Sequence, residues 1–226
     1  MLDSLFSKFD SIVVLDVETT GTDYKRDEII EVAMLRVVKG QSDYDIEDEY
    51  SALVKLTPNR KLPTVITDLT GITGEQLQKE GTPKEKASEK VADILRTSKP
   101  LLVAYNAQFD LCFLYYFLNS LGKNDVLKNV KMLDMLTVYK DRKPYPHKLS
   151  DAVRMYSLDA NNSHRALDDT RITFQLLCKM GKELDDLEHY VNLFGYNPKY
   201  GVNGPKISSV KYLPQGYDRI KKLYEI

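Results

Sequence analysis

Three strand-like runs precede the first helical period in this sequence, and only afterwards do strand and helix patterns alternate; no other feature restricts the fold so tightly. Residues 11–17 form an apolar run ending in acids, residues 29–38 a second one closed by Gly40, and residues 49–55 a shorter, more polar third. Short connections and a charged third run suit an antiparallel meander with that run at an edge. Within 64–78, Thr73 stands before a short helix. Over 83–96 the apolar Ala87, Val91, Ile94 and Leu95 recur at helical spacing. A buried strand (100–105) and an apolar helix (108–121, ended by Gly122) come next. They are followed by a short strand (130–133) with Asp134 as a helix cap and by a Pro-rich loop (143–147). A helix capped by Ser150 and a long helix from about Ser163 to Met180 complete the pattern. Strands that cluster and then alternate with helices predict the α/β class, a mixed five-stranded sheet flanked by helices. Past Gly181 the spacing of Pro198, Gly201, Gly204, Pro205 and Pro214 reads as irregular. The expected organisation is a domain over 1–182 and an appendage over 183–226.

With 42% hydrophobic and 29% charged residues, the chain can bury a core and is neither disordered nor fibrous. No apolar stretch approaches the ~20 residues of a membrane helix, and the first ten residues lack the basic and apolar regions of a secretory leader. Cys112 and Cys178 sit in apolar helical patterns without zinc-ligand spacing. These features point to a cytoplasmic protein with reduced thiols and no membrane partner. A net charge of -1 excludes a uniformly basic nucleic-acid coat. Locally, however, residues 195–226 carry Lys199, Lys206, Lys211, Arg219, Lys221 and Lys222 among Tyr196, Tyr200, Tyr212, Tyr217 and Tyr224. Such a stripe either holds a single strand or packs its tyrosines on the domain.

The chemistry resides in the acids. Asp16 and Glu18 end the run Ile12-Val13-Val14-Leu15, and the period of two puts both carboxylates on one face of a strand. Two acids so placed repel one another and lose hydration, which a divalent cation relieves. Asp110 shares a helix face with Phe113, Leu114, Phe117, Leu118 and Leu121, so it points toward the core. In the last long helix, Asp169 shares a face with Ile172, Thr173, Leu176, Leu177 and Met180. Its neighbour Asp168 instead shares one with Arg171, Gln175 and Lys179. Asp169 is therefore the inward acid, and His164, where the chain enters that helix, can approach the same cluster.

These residues resemble the DEDDh class of 3′–5′ exonucleases, built on a ribonuclease H-like fold. The resemblance rests on Asp16-Val17-Glu18-Thr19-Thr20-Gly21, on Tyr105-Asn106-Ala107-Gln108-Phe109-Asp110 and on His164-Arg165-Ala166-Leu167-Asp168-Asp169. It extends to Leu69-Thr70-Gly71-Ile72-Thr73 and covers residues 11–181. It implies metal-binding acids at Asp16, Glu18, Asp110 and Asp169 and a general base at His164. It further implies contacts to the terminal nucleotide from Thr19, Thr20 and Asn106. Tyr105 departs from the His that many members carry before the Asn. Hard oxygen ligands select Mg²⁺ or Mn²⁺, two ions in this family. The implied reaction releases nucleoside 5′-monophosphates from the 3′ end of DNA, single-stranded or frayed. An exoribonuclease of the same family acting on an RNA 3′ end, and a catalytically idle module that binds nucleic acid or a polymerase, are the competing readings. Any polymerase or repair partner is expected on a separate chain.

Overall fold

The computed structural model describes residues 2–41, 43–159, 165–216 and 221–226. After a short helix, α1 (Asp3–Phe6), the chain forms β1 (Ser11–Thr19), β2 (Ile29–Lys39) and β3 (Tyr44–Leu53). Helices α2 (Thr64–Thr70), α3 (Gly74–Lys79) and α4 (Lys84–Leu95) lead to β4 (Pro100–Ala104) and α5 (Ala107–Ser120). Then come β5 (Lys131–Asp134), α6 (Met135–Arg142), α7 (Leu149–Tyr156), α8 (Ala166–Glu183), and the short β6 (Leu193–Tyr196) and β7 (Lys211–Pro214).

The main sheet has five strands in the order β3-β2-β1-β4-β5. β1, β2 and β3 pair antiparallel, while β4 and β5 run parallel to β1, giving the expected mixed sheet flanked by helices. The continuous apolar run of β1 is explained by its central position, because both faces are covered. Ile12 and Val14 pack with residues of α6, α7 and α8, whereas Val13, Leu15 and Val17 pack with α4 and α5. The ladder with β2 shifts register between Glu18 and Thr19, so β1 bends just after its acids.

Two features differ from the sequence reading. β3 starts at Tyr44 rather than at residue 49, because its acids are satisfied at the edge by cations: Glu47 by Arg36, Asp48 by Lys90 and Glu49 by Arg171. An edge strand that keeps its charges leaves no apolar signature. The stretch past α8 is not wholly irregular, since β6 and β7 pair in parallel over four residues each. Part of that stretch is docked: Leu223 is fully buried in the main core, and the Tyr224 and Tyr212 hydroxyls donate to Asp186 and Gln108, each at 2.8 Å. Tyr200, by contrast, is exposed. Tyr217 and Arg219 lie outside the described residues. Both cysteines are free and buried, and no described helix is long and apolar enough to cross a membrane.

Candidate metal centre

At the carboxyl end of β1, Asp16 and Glu18 face the side on which α8 packs. One carboxylate oxygen from each of Asp16, Glu18 and Asp169 lies within 4.8 Å of the other two. Asp169 is brought there by the first turn of α8. Asp168 lies instead near the Arg165 and Arg171 guanidiniums, whose positive charge it favours. Asp110 approaches from the opposite side of the sheet. It sits in the first turn of α5, is almost fully buried, and its Oδ1 accepts a 3.2 Å bond from the Val17 amide, between the two strand acids.

The electrostatics of this arrangement are unfavourable without a cation. Burial, followed by the charges of Asp110, Asp169, Glu18 and Glu31, pushes Asp16 well above the usual carboxylate range. Burial, then Asp169 and Glu31, pushes Glu18 up to about 8, with Arg165 opposing. Asp110 is raised chiefly by burial, against the pull of the Val17 amide. Converging, partly dehydrated carboxylate oxygens that resist ionisation suit a hard divalent cation, whose charge reverses that penalty. The residues present therefore fit a metal ion of the Mg²⁺ or Mn²⁺ type.

Two further acids hold the frame, and sequence reasoning did not assign them these roles. Glu31 lies directly opposite Glu18 in the β1–β2 ladder, is almost completely buried, and accepts from Arg165 Nη2 at 2.7 Å and from Arg165 Nε and the Ala166 amide at 3.1 Å. It thus fixes the entry to α8. The available signal was an acid inside the apolar run of β2. Asp134, expected only as a cap, also ties two helices together. Its Oδ1 accepts from the Asn106 and Ala107 amides at 2.9 Å, and its Oδ2 from the Thr137 amide and hydroxyl at 3.0 and 2.5 Å. Asn106 stands at the N-cap position of α5 in the left-handed conformation (φ 70°), which Asn tolerates better than most residues, and is exposed.

The remaining expected site residues fall as follows. The Thr19 hydroxyl donates to the Gly21 carbonyl at 2.6 Å. That of Thr20 donates to Asp27 at 3.1 Å and accepts from the Glu28 amide at 3.0 Å and from Arg60 at 3.2 Å. His164, the expected base, lies outside the described residues. His147 is held in its loop, with Nε2 2.9 Å from the Lys143 carbonyl and its own carbonyl accepting from the Tyr105 hydroxyl at 2.8 Å.

A five-stranded mixed sheet with carboxylates gathered at the end of its central strand defines a ribonuclease H-like nuclease scaffold. The chain belongs to the exonuclease family whose model, RNase_T, matches residues 13–177, within the DEDDh class of 3′–5′ exonucleases. It is 34% identical over 170 residues to the PolC-type DNA polymerase III of Thermotoga petrophila; the match covers 75% of this chain and 12% of the polymerase. It is 32% identical over 182 residues to the 3′–5′ exonuclease DinG of Bacillus subtilis, with 78% of this chain and 18% of that protein covered. The chain thus spans a minor part of either relative. Its fold is similar to that in the zinc-bound E. coli ExoI–ssDNA complex, with a TM-score of 0.71 at 16% identity over 80% of this chain and 42% of that one.

Proposed function

We propose that this chain removes nucleotides one at a time from the 3′ end of single-stranded or frayed DNA as 5′-monophosphates, at a two-ion site. The observation that carries this reading is the convergence of Asp16, Glu18 and Asp169 within 4.8 Å, backed by Asp110. These four residues would hold the ions. When bound, two such ions about 3.5–4 Å apart supply an activated water and stabilisation of the leaving oxygen. The anionic phosphodiester, in turn, balances their charge.

The protein's own groups do the rest. His164, next to the Glu31-anchored Arg165, takes the proton from the attacking water, a task suited to an imidazole with an intrinsic pKa of about 6.5. Asn106 and the Thr19–Thr20 segment bound the terminal nucleotide. DNA is favoured over RNA by the similarity to a DNA polymerase and to an exonuclease bound to ssDNA. The reading places the protein with a DNA polymerase or repair assembly in the cytoplasm, on a separate chain or joined to it.

The test is digestion of 5′-labelled DNA and RNA of one sequence with Mg²⁺ or Mn²⁺, with the released product identified by chromatography. The expected result is nucleoside 5′-monophosphate, faster from DNA and absent with Asp16→Asn. Faster release from RNA would replace this reading with the exoribonuclease one, and binding without release would leave the idle module.

A further inference from the structure

Past the register shift between Glu18 and Thr19, the Thr20 amide donates to the Glu28 carbonyl at 2.9 Å, and this bond closes the loop formed by residues 21–27. Thr20 is buried, and the three bonds of its hydroxyl tie the start of the loop to its end at Asp27 and Glu28. Asp27 Oδ2 accepts from the Asp23 amide at 2.9 Å and lies against Gly21, where a Cβ would collide with the Asp27 carboxylate. The loop is thus folded around one carboxylate.

That carboxylate needs a cation, since its side chain is only 21% exposed. Its one salt bridge among the described residues is with Arg60, whose Nη2 stands 3.0 Å from Asp27 Oδ1 and donates to the Thr20 hydroxyl at 3.2 Å. Arg60 Nη1 donates to the Arg26 carbonyl at 2.5 Å and lies 3.5 Å from Glu28 Oε1. One planar guanidinium therefore grips residues 26, 27 and 28 together with Thr20, a set of directions that a Lys ammonium does not reproduce. Arg60 belongs to the connection between β3 and α2 and is itself braced. Its amide donates to the Thr57 carbonyl at 3.0 Å, while the Thr57 amide and the Lys84 ammonium donate to Glu28 Oε2 at 3.0 and 2.8 Å.

None of these bonds involves a metal acid, yet Thr20 stands only two residues past Glu18. Without Arg60, the Asp27 charge would be balanced only by the Thr20 hydroxyl and the Asp23 amide, and the loop would open to hydrate it. Opening frees the bend on which the placement of Glu18 depends.

We infer that Arg60 is a positioning residue for the metal centre: by clamping Asp27 and Thr20 it fixes the bend after Glu18, and with it the carboxylate that Glu18 presents to the ions. The inference rests on the exonuclease reading for its consequence in catalysis, but its first readout is metal binding.

The test follows Mn²⁺ binding to the full chain by electron paramagnetic resonance, with melting temperatures alongside, and then the single-turnover rate on 5′-labelled DNA at saturating Mn²⁺. Arg60→Ala is expected to weaken Mn²⁺ binding by about tenfold and to lower the rate by about tenfold, the lower end of what a support to a metal ligand contributes. Guanidinium ion at millimolar concentration should restore part of both. Arg60→Lys, which keeps the charge, secures the comparison if the alanine variant folds poorly; it should lose part of the affinity and gain nothing from guanidinium. Lys84→Gln removes a cation from the same network without touching Thr20 or Asp27, so it should lower the melting temperature and leave Mn²⁺ affinity as in the wild type. Wild-type Mn²⁺ affinity in both Arg60 variants, or equal weakening in the Arg60 variants and Lys84→Gln, would overturn the inference. A wild type that binds Mn²⁺ but hydrolyses neither DNA nor RNA would refute the exonuclease reading, with the Mn²⁺ comparison still deciding the role of Arg60.

Discussion

Glu18→Gln should stabilise the metal-free protein at alkaline pH while leaving it nearly unchanged in acid. Glu18 rises from 4.5 to about 8 on folding, mainly through burial and then through Asp169 and Glu31. The folded state thus keeps a proton that the unfolded chain has already lost over that interval, so this group makes stability fall as pH rises from about 4.5 to about 8. At about 1.36 kcal/mol per pH unit, the interval sets a ceiling of about 5 kcal/mol, lowered in practice by solvent and by coupling to Asp16. For a chain of this size, about 2–4 °C of melting temperature accompany each kcal/mol, so the ceiling corresponds to about 10–20 °C. The assay is thermal unfolding in EDTA at pH 5 and pH 8, for the wild type and Glu18→Gln. The difference between the two proteins cancels the titrating groups that Glu18 does not influence, leaving Glu18 and its effect on Asp16 and Asp110. The variant should gain several degrees over the wild type at pH 8 and little at pH 5, and Mn²⁺ should raise the wild type more than the variant at pH 8. A difference between the proteins that is the same at both pH values, or larger in acid, would refute the reasoning.

Three further outcomes are expected. Asp16→Asn, Asp110→Asn and Asp169→Asn should each lower the rate by at least about 100-fold at saturating metal, whereas Asp168→Asn should stay within about threefold; equal losses in the adjacent pair, measured side by side, would remove the face assignment. The single-turnover rate should rise with pH through the imidazole range, and His164→Ala should lose both rate and that limb; survival of the limb there and its disappearance in His147→Ala would move the base to the other loop. Arg165→Ala should destabilise the protein by about 1.5–3 kcal/mol, because it leaves buried Glu31 with only the Ala166 amide, and Arg165→Ala with Glu31→Gln should recover part of the loss; a strictly additive double-mutant cycle would contradict the coupling.

The parts of the site visible in the sequence are those in which chemistry interrupts a periodic pattern. Asp16 and Glu18 break an apolar strand, and the face on which Asp169 stands separates it from Asp168. In both cases the pattern is local and needs no knowledge of what packs against it. Glu31 and Asp134 acquire their roles only through partners 135 and 28 residues away, Ala166 and Asn106, and separation of that kind leaves no periodicity to read. The same reason hid β6 and β7. Two four-residue strands that pair in parallel carry too few alternations to signal themselves, and the glycines and prolines between them look like an unstructured tail. The acidic edge of β3 was hidden differently, since its partners Arg36, Lys90 and Arg171 come from three other elements.

The direction and metal dependence of cleavage are the most direct measure of a metal-dependent 3′–5′ exonuclease. Single-stranded DNA labelled at its 5′ end, incubated with the full chain and Mg²⁺ and sampled over time, should give a ladder that shortens one nucleotide at a time from the 3′ end, with no ladder in EDTA or with Asp169→Asn. A labelled mononucleotide or internal fragment as the first product, or a ladder undiminished by EDTA, would contradict it.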